Sequence, residues 1–152
     1  MLTVTILGNN SALPAYSRNP TAQVLQTPEE SFLIDCGEGT QVRLLQYKIK
    51  TSRISHIFIS HLHGDHYFGL IALLSSMALQ NRQQPIHLYA PAALEKLIQL
   101  HLEVAEATLS FPLHFHPLEK AGIIADTHSV NVHCFPMQHR IPCWGFVFSE
   151  KK

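Results

Sequence analysis

Four side chains that can bind a metal ion lie within one short segment, residues 61–66, which reads HLHGDH. The segment follows an apolar run at residues 54–59 that predicts a buried strand. Because the side chains of a strand alternate between its two faces, His61, His63 and, if the extended backbone continues, Asp65 project to one side. The glycine between the second and third ligands allows the sharp turn that brings them together.

The types of these ligands indicate which metal they would bind. His61 and His63 suit one cation, and Asp65 with His66, at the start of the next helix, suits a second cation beside it. Imidazole and carboxylate together favour zinc, with manganese and iron as weaker alternatives. A lone histidine is usually a surface or packed residue, but four ligands in this order at the end of a strand favour a metal site.

Strands and helices are predicted to alternate around this segment. Alternating apolar residues and turn formers predict strands at residues 2–7, 21–26, 31–35, 54–59, 86–90, 113–116, 130–135 and 144–148. Helices are predicted at residues 41–47, with Thr40 as N-cap, at residues 67–80, and from Pro91 onward. This order predicts an α/β or α+β layered domain, and such domains usually carry their sites at strand ends.

Composition favours one globular domain with few charges. The 152 residues have a formal net charge of zero at pH 7 and are 14% charged and 46% apolar, a balance that argues neither for nor against a nucleic-acid partner. Cys36, Cys134 and Cys143 lack a C-x-x-C spacing and are predicted to be reduced thiols of a cytosolic protein. We expect no signal peptide, and residues 67–80 are too short to span a membrane.

Three further histidines are interpreted as structural. His101 falls on the apolar stripe of the helix that begins at Pro91, so we predict that it is packed in the core. His114 and His116 alternate with apolar residues, which predicts an exposed strand face rather than a metal pair.

The motif at residues 61–66 resembles that of the metallo-β-lactamase superfamily, and several other segments resemble ribonuclease Z within it. These segments are residues 7–8, 17–20 (SRNP), 32–41 (FLIDCGEGTQ), 57–60 (IFIS) and 139–146 (HRIPCWGF). The resemblance runs along the whole chain. It implies a four-layer αββα sandwich, of which this chain would be one half, a mixed sheet with helices on one face.

The resemblance implies a zinc-dependent endoribonuclease that removes the 3′ trailer from precursor transfer RNA, leaving a 3′-hydroxyl and a 5′-phosphate. It implies that His61, His63 and His139 bind one zinc ion, and that Asp65 and His66 help to bind a second. Asp65 would also accept a proton. Two such cations lower the pKa of a shared water and clamp phosphate oxygens. A homodimer in the cytoplasm is also implied, and we expect no membrane or DNA partner.

Asp35 is expected to support the metal motif rather than to bind metal. It ends a strand that is predicted to be buried, and a buried carboxylate needs hydrogen-bond partners. We therefore expect Asp35 to accept hydrogen bonds from the loop that carries the ligands.

Residues 1–152 are predicted to form a single domain that corresponds to the N-terminal half of ribonuclease Z, whose later half supplies further metal ligands. We therefore expect this chain alone to be inactive and to hold at most one metal ion tightly, against two in a full-length subunit. Two alternatives remain open: a metallo-hydrolase of a small phosphodiester or thioester, and a metal-binding fragment without turnover. Apolar runs at residues 33–34 and 58–59 predict strands that are buried on both faces. Because the resemblance assigns the partner sheet to the other half, we expect one apolar face to lie open and the chain to self-associate, most simply as a two-fold dimer.

Overall fold

Six strands form one mixed sheet in the computed structural model, which describes residues 1–13 and 15–151; Pro14 and Lys152, the last residue of the predicted domain, lie outside them. The strands are β1 (Thr3–Gly8), β2 (Ala22–Gln26), β3 (Ser31–Ile34), β4 (Ile54–Phe58), β5 (Ile86–Ala90) and β6 (Leu113–Pro117). They lie in sequence order, with β1, β2 and β3 antiparallel and the pairs from β3 to β6 parallel.

Four helices connect the parallel strands and pack on one face of this sheet, as predicted. They are α1 (Thr40–Gln46), α2 (Gly64–Tyr67), α3 (Leu70–Leu79) and α4 (Ala93–Val104). Parallel neighbours cannot be joined by a tight turn, so each pair requires such a crossover. Leu44 of α1, Leu73 of α3 and Ile98 of α4 share a buried cluster with Leu33 and Ile57 of the sheet. None of the helices in the described ranges is long and apolar enough to cross a membrane.

A second sheet covers the other face of the first one. It contains β7 (Gly122–Asp126), β8 (Val130–Met137) and β9 (Cys143–Glu150), all antiparallel. The ring of Phe58 lies 5.4 Å from that of Phe146 and 5.3 Å from that of Phe148. The prediction of one sheet was therefore incomplete, because the last three strands fold back as a sheet of their own.

The apolar face from which we predicted self-association is closed within the chain. Leu33, Phe58 and Ile59 are fully buried and Ile34 is half-buried. Leu33 and Ile59 pack beneath the helices, and Phe58 packs against the second sheet. The prediction of an open face at these residues is therefore wrong, since the second sheet occupies the space that was expected to be empty.

Three local predictions about helices also differ from the structure. Thr40 is the first residue of α1 rather than its cap, and its hydroxyl donates to the carbonyl of Gly37 at 2.7 Å. One helix was predicted from residue 67 to residue 80. In the structure, α3 begins only at Leu70, and the separate short helix α2 precedes it and ends at Tyr67. His101 is exposed on α4, so its predicted burial is wrong. Only one side of that helix meets the sheet.

His56 on β4 is expected to make folding sensitive to acid. Burial, followed by the nearby His87, lowers the pKa of His56 to about 4. As the pH falls below about 6.5, the unfolded chain binds the proton before the folded chain does, so the free energy of unfolding falls until about pH 4. Urea unfolding at two pH values checks this: wild type should lose more stability between about pH 7 and pH 5 than His56→Gln. Equal losses in the two proteins would contradict the prediction.

Candidate metal centre

β4 ends directly before the segment that carries the candidate ligands. Because its apolar residues are fixed between the helices and the second sheet, the strand delivers Ser60 and His61 to the carboxyl edge of the first sheet. His61 is buried, and its Nδ1 lies 3.0 Å from Oγ of Ser60. That contact leaves Nε2 of His61 available to a metal. His63 follows in extended backbone as the N-cap of α2, so the two rings reach the same side.

The connection between β8 and β9 brings His139 to these two rings. Nε2 of His139 lies 3.2 Å from Nδ1 of His63, and the rings of His139 and His61 are 4.7 Å apart. One donor atom from each of the three histidines lies within 4.8 Å of the others. Within the described part of the chain, this is the group of three that could hold a metal ion. The backbone N–H of Trp144 donates to the Ser60 carbonyl at 2.9 Å, which fixes β9 beside the end of β4.

Asp35 holds the ligand segment from the end of the neighbouring strand. Its carboxylate is almost fully buried, and one oxygen accepts the backbone N–H of Ser60 at 2.8 Å. The other oxygen accepts the Ser60 hydroxyl at 3.0 Å and lies 2.7 Å from Nδ1 of His66. A φ of 57° places Asp35 in the left-handed region, which aspartate tolerates better than most residues. The structure thus places Asp35 against the ligand loop, where the sequence predicts it.

Asp65 and His66 lie side by side at the start of α2. Nε2 of His66 is 3.5 Å from a carboxylate oxygen of Asp65, and its ring is 3.9 Å from the ring of His61. Because Asp35 occupies Nδ1 of His66, the opposite ring nitrogen and the Asp65 carboxylate are the groups left to meet a cation. This second position has two protein donors, whereas the histidine triad has three.

Electrostatics suits the triad to metal binding. Burial, with the nearby His66, lowers the pKa of His61 to about 4, so its imidazole is neutral at pH 7, as a metal ligand must be. Burial opposes protonation of His66, but the hydrogen bond and charge of Asp35, with the charge of Asp65, outweigh it and raise the pKa of His66.

Burial also raises the pKa of the Cys36 thiol to about 12. All three cysteines are free thiols, as predicted.

Backbone contacts clamp the segment after β3 against the ligand helix. The N–H of Cys36 donates to the His66 carbonyl at 2.7 Å, and the N–H of Gly69 donates to the Cys36 carbonyl at 2.9 Å. A Cβ atom on Gly69 would lie only 2.1 Å from the carbonyl oxygen of Gly37. The close approach of α3 to this segment therefore requires glycine at position 69.

Gly69→Ala is expected to lower the free energy of unfolding by about 2–3 kcal/mol, because the added methyl group meets backbone that cannot move alone. Urea unfolding measures the change, with Ser75→Ala on α3 as the control, which should stay within about 0.5 kcal/mol of wild type. Gly69 is also the N-cap of α3, a position where glycine is preferred over alanine, so the loss of the cap acts in the same direction. An unchanged or increased free energy of unfolding would show that the approach at Gly69 is not tight.

Sequence reasoning did not identify two residues of this site. Ser60 bridges Asp35 and His61 through its backbone and hydroxyl groups. Arg140 brings Nη2 to 3.5 Å from Nε2 of His63, at the edge of the triad. The available signal was adjacency, since each residue is next to a candidate ligand in the sequence.

Two stacked sheets with helices on the outer face of the first, and a histidine triad at the end of a strand, define a metallo-β-lactamase fold with a candidate metal site. The metallo-β-lactamase fold protein YhfI from Bacillus subtilis superimposes with a TM-score of 0.74 at 17% identity, covering 97% of this chain and 58% of its own. The predicted fold class is confirmed. The chain belongs to the family described as Anti-Pycsar protein Apyc1, whose model matches residues 2–152.

Several relatives carry the name that the sequence resemblance suggested. Ribonuclease Z of Bacteroides thetaiotaomicron is 46% identical over 149 residues, which cover 97% of this chain and 47% of the relative. Ribonuclease Z of Cytophaga hutchinsonii is 49% identical over 148 residues, 96% of this chain and 47% of the relative. The crystal structure of human tRNase Z, short form, superimposes with a TM-score of 0.90 at 36% identity, covering 99% of this chain and 65% of that one.

The resemblance to ribonuclease Z is therefore confirmed along nearly the whole chain. The chain spans about half the length of the curated relatives it matches. Every segment quoted for the resemblance lies in the matched part.

Proposed function

We propose that this chain forms the metal-binding half of an endoribonuclease that removes the 3′ trailer from precursor transfer RNA. The observation that carries the proposal is the convergence of His61, His63 and His139 in a chain 46% identical to a protein named ribonuclease Z. In this proposal residues 1–152 are a single domain, the N-terminal half of a longer enzyme. The coverage of about half of each relative supports that assignment.

We assign one zinc ion to His61, His63 and His139, and the protein share of a second to Asp65 and His66. Three convergent imidazoles, with the tautomer of His61 set by Ser60, fit zinc in its catalytic form with an open position. Zinc there would polarise a phosphodiester and acidify water.

Asp65 would accept the proton from the attacking water, since its carboxylate lies beside the second position. Asp35 would keep His66 and Ser60 in place and would not touch the metal. The expected products are a 3′-hydroxyl on the transfer RNA and a 5′-phosphate on the trailer.

A cytoplasmic homodimer completes the proposal. Three free thiols support a reducing compartment, and the resemblance to ribonuclease Z is the support for a dimer. We expect no DNA substrate and no membrane partner.

The test uses the longer protein that contains residues 1–152, incubated with zinc and a precursor transfer RNA that carries a 3′ trailer. Wild type and the His101→Ala control should release the trailer, and His139→Ala should not. A DNA strand of the same sequence should stay intact. Activity on bis(p-nitrophenyl) phosphate or a thioester without trailer removal would favour a different hydrolase on the same scaffold. Inactivity on every substrate would favour a metal-binding protein without turnover.

Residues 1–152 alone should leave the trailer uncut, because Asp65 and His66 provide only two donors for the second cation. Trailer removal by this chain alone would overturn its assignment as half of an enzyme.

Metal content provides a separate prediction for residues 1–152. A site with three protein ligands is complete for catalytic zinc, whereas two donors hold a cation weakly. We therefore expect at most one tightly held metal ion per chain after extensive dialysis, measured by elemental analysis. Two retained equivalents would contradict this and would direct attention to other donors, among them Asp126, His114 and His116.

A further inference from the structure

Arg140 is an exposed arginine at the edge of the histidine triad. It follows His139 directly in the connection between β8 and β9, and its Nη2 lies 3.5 Å from Nε2 of His63. None of the ion pairs within residues 1–13 and 15–151 involves Arg140. A guanidinium without a carboxylate partner, beside side chains that could hold a cation, leaves the positive charge at this edge unbalanced.

The two ring nitrogens of His63 have different surroundings. Nδ1 lies 3.2 Å from Nε2 of His139, so it is the nitrogen that faces the candidate metal position. A neutral imidazole has one acceptor nitrogen and one N–H, and a nitrogen that binds metal cannot carry the hydrogen. With a metal on Nδ1, the Nε2 of His63 is therefore a donor. A guanidinium has no acceptor, so Arg140 and His63 then face each other as two donors.

Two facing donors suit a shared acceptor that carries negative charge. Nη2 of Arg140 and the Nε2–H of His63 cannot bond to each other, but both can donate to one oxygen placed about 2.9 Å from each nitrogen. Charge-assisted bonds of this kind are the strong ones, and arginine is the side chain best suited to phosphate. Because Nδ1 is the nitrogen turned toward His139, an oxygen bound at Nε2 lies outside the triad.

We propose that Arg140, together with the Nε2–H of His63, binds a phosphate of the RNA strand that is adjacent to the scissile phosphate. This inference rests on the proposed function and adds a substrate-binding residue to it. When the phosphate that is cut lies at the triad, a neighbouring phosphate is the anion nearest to this outer position. Phosphate contacts fix the register of a strand, so Arg140 acts on binding and not on the chemical step.

Binding of precursor transfer RNA tests this contact in the longer protein that contains residues 1–152, loaded with zinc. Asp65→Asn removes the proposed base and provides a background in which the RNA is bound but not cut. In that background Arg140→Gln should weaken binding by about tenfold. It should also reduce the slope of log affinity against log salt by about 0.7–0.9, the value for one phosphate contact. Lys96→Gln, which removes an exposed charge from α4, is the matched control and should change neither quantity.

RNA with an uncharged methylphosphonate in place of one phosphate identifies the group that Arg140 contacts. The replacement is made on either side of the scissile phosphate in turn. At one of these positions it should weaken binding about tenfold when Arg140 is present and have no further effect on Arg140→Gln. Equal weakening of the two proteins at both positions would overturn the proposal. So would loss of the tightly held metal from Arg140→Gln, measured by elemental analysis, because Arg140 would then support His63 and not the RNA.

Trailer removal with Asp65 restored reports separately on the proposed function. Arg140→Gln should raise KM about tenfold and leave kcat within about twofold of wild type. Any activity on bis(p-nitrophenyl) phosphate, which has no neighbouring phosphate, should be the same in the two proteins. An equal loss on that substrate would place Arg140 at the scissile phosphate and overturn the proposal. RNA binding as expected without trailer removal would support the contact of Arg140 and overturn the proposed function alone.

Discussion

His63→Ala is expected to release the tightly held metal ion from the protein. His63 is one of three convergent donors, and its Nδ1 lies 3.2 Å from Nε2 of His139. Loss of an outer partner already weakens metal binding by about 10–100-fold, so loss of a direct ligand should cost at least about 100-fold. Elemental analysis after dialysis, followed by competition with a chromogenic chelator, measures the change. Under the proposed function, trailer removal should be lost with the metal.

Two histidine variants serve as controls for this experiment. His101 is exposed on α4 and His87 lies on β5, away from the triad, so alanine at either position should leave the tight metal in place. Any effect of His101→Ala on folding should be small, within about 0.5 kcal/mol. Release of the tight metal by His101→Ala, or its retention by His63→Ala, would show that the triad is not the binding site.

Asp35→Ala is expected to produce the largest loss of stability, about 3 kcal/mol or more in the metal-free protein. The substitution leaves the N–H and hydroxyl of Ser60 and Nδ1 of His66 without their buried acceptor. Breaking a buried hydrogen-bond network of this kind is among the few causes of losses above about 3 kcal/mol. Urea unfolding with chelator present separates this effect from metal binding.

The matched control for Asp35 is another aspartate in a different setting. Asp126 is exposed at the end of β7 and contacts Lys151, so Asp126→Ala should change stability by less than about 1 kcal/mol. Equal losses in the two variants would mean that the contacts of Asp35 are not what holds the ligand loop. Asp35→Asn should lie between them, because the amide keeps one acceptor and places a donor against Ser60 or His66.

The sequence alone pointed to the candidate ligand segment because its signal is local. His61 and His63 follow a short apolar run, and the alternation of a strand is enough to place both on one side. Predicting that His139 joins them required the resemblance to a family, since 76 residues separate it from His63. No periodicity carries information over such a distance. The fold class was predictable for the same reason as the motif, because strands and helices alternate visibly along the chain.

Burial of whole faces was harder to predict than the elements themselves. Phe58 could be assigned to a doubly buried strand, but what covers it depends on how β7, β8 and β9 fold back. No strand was predicted at the position of β7. The expectation of an open face followed from assigning the covering sheet to the other half of the sandwich. The prediction for His101 erred in the opposite direction, since it was expected to be buried and is exposed. The apolar stripe of α4 is wider than the contact of that helix with the sheet, so residues at the edge of the stripe lie in solvent.

Trp144 gives the candidate centre an optical reporter. It is the single tryptophan of the sequence and is 9% exposed. Its backbone N–H donates a hydrogen bond to the carbonyl of Ser60, the residue that precedes His61. All indole emission from the protein therefore originates at the junction between the two sheets, beside a candidate ligand. Any loosening of β9 from the end of β4 would admit water to this ring and move the emission to longer wavelength, so the unlabelled chain records the state of its own site.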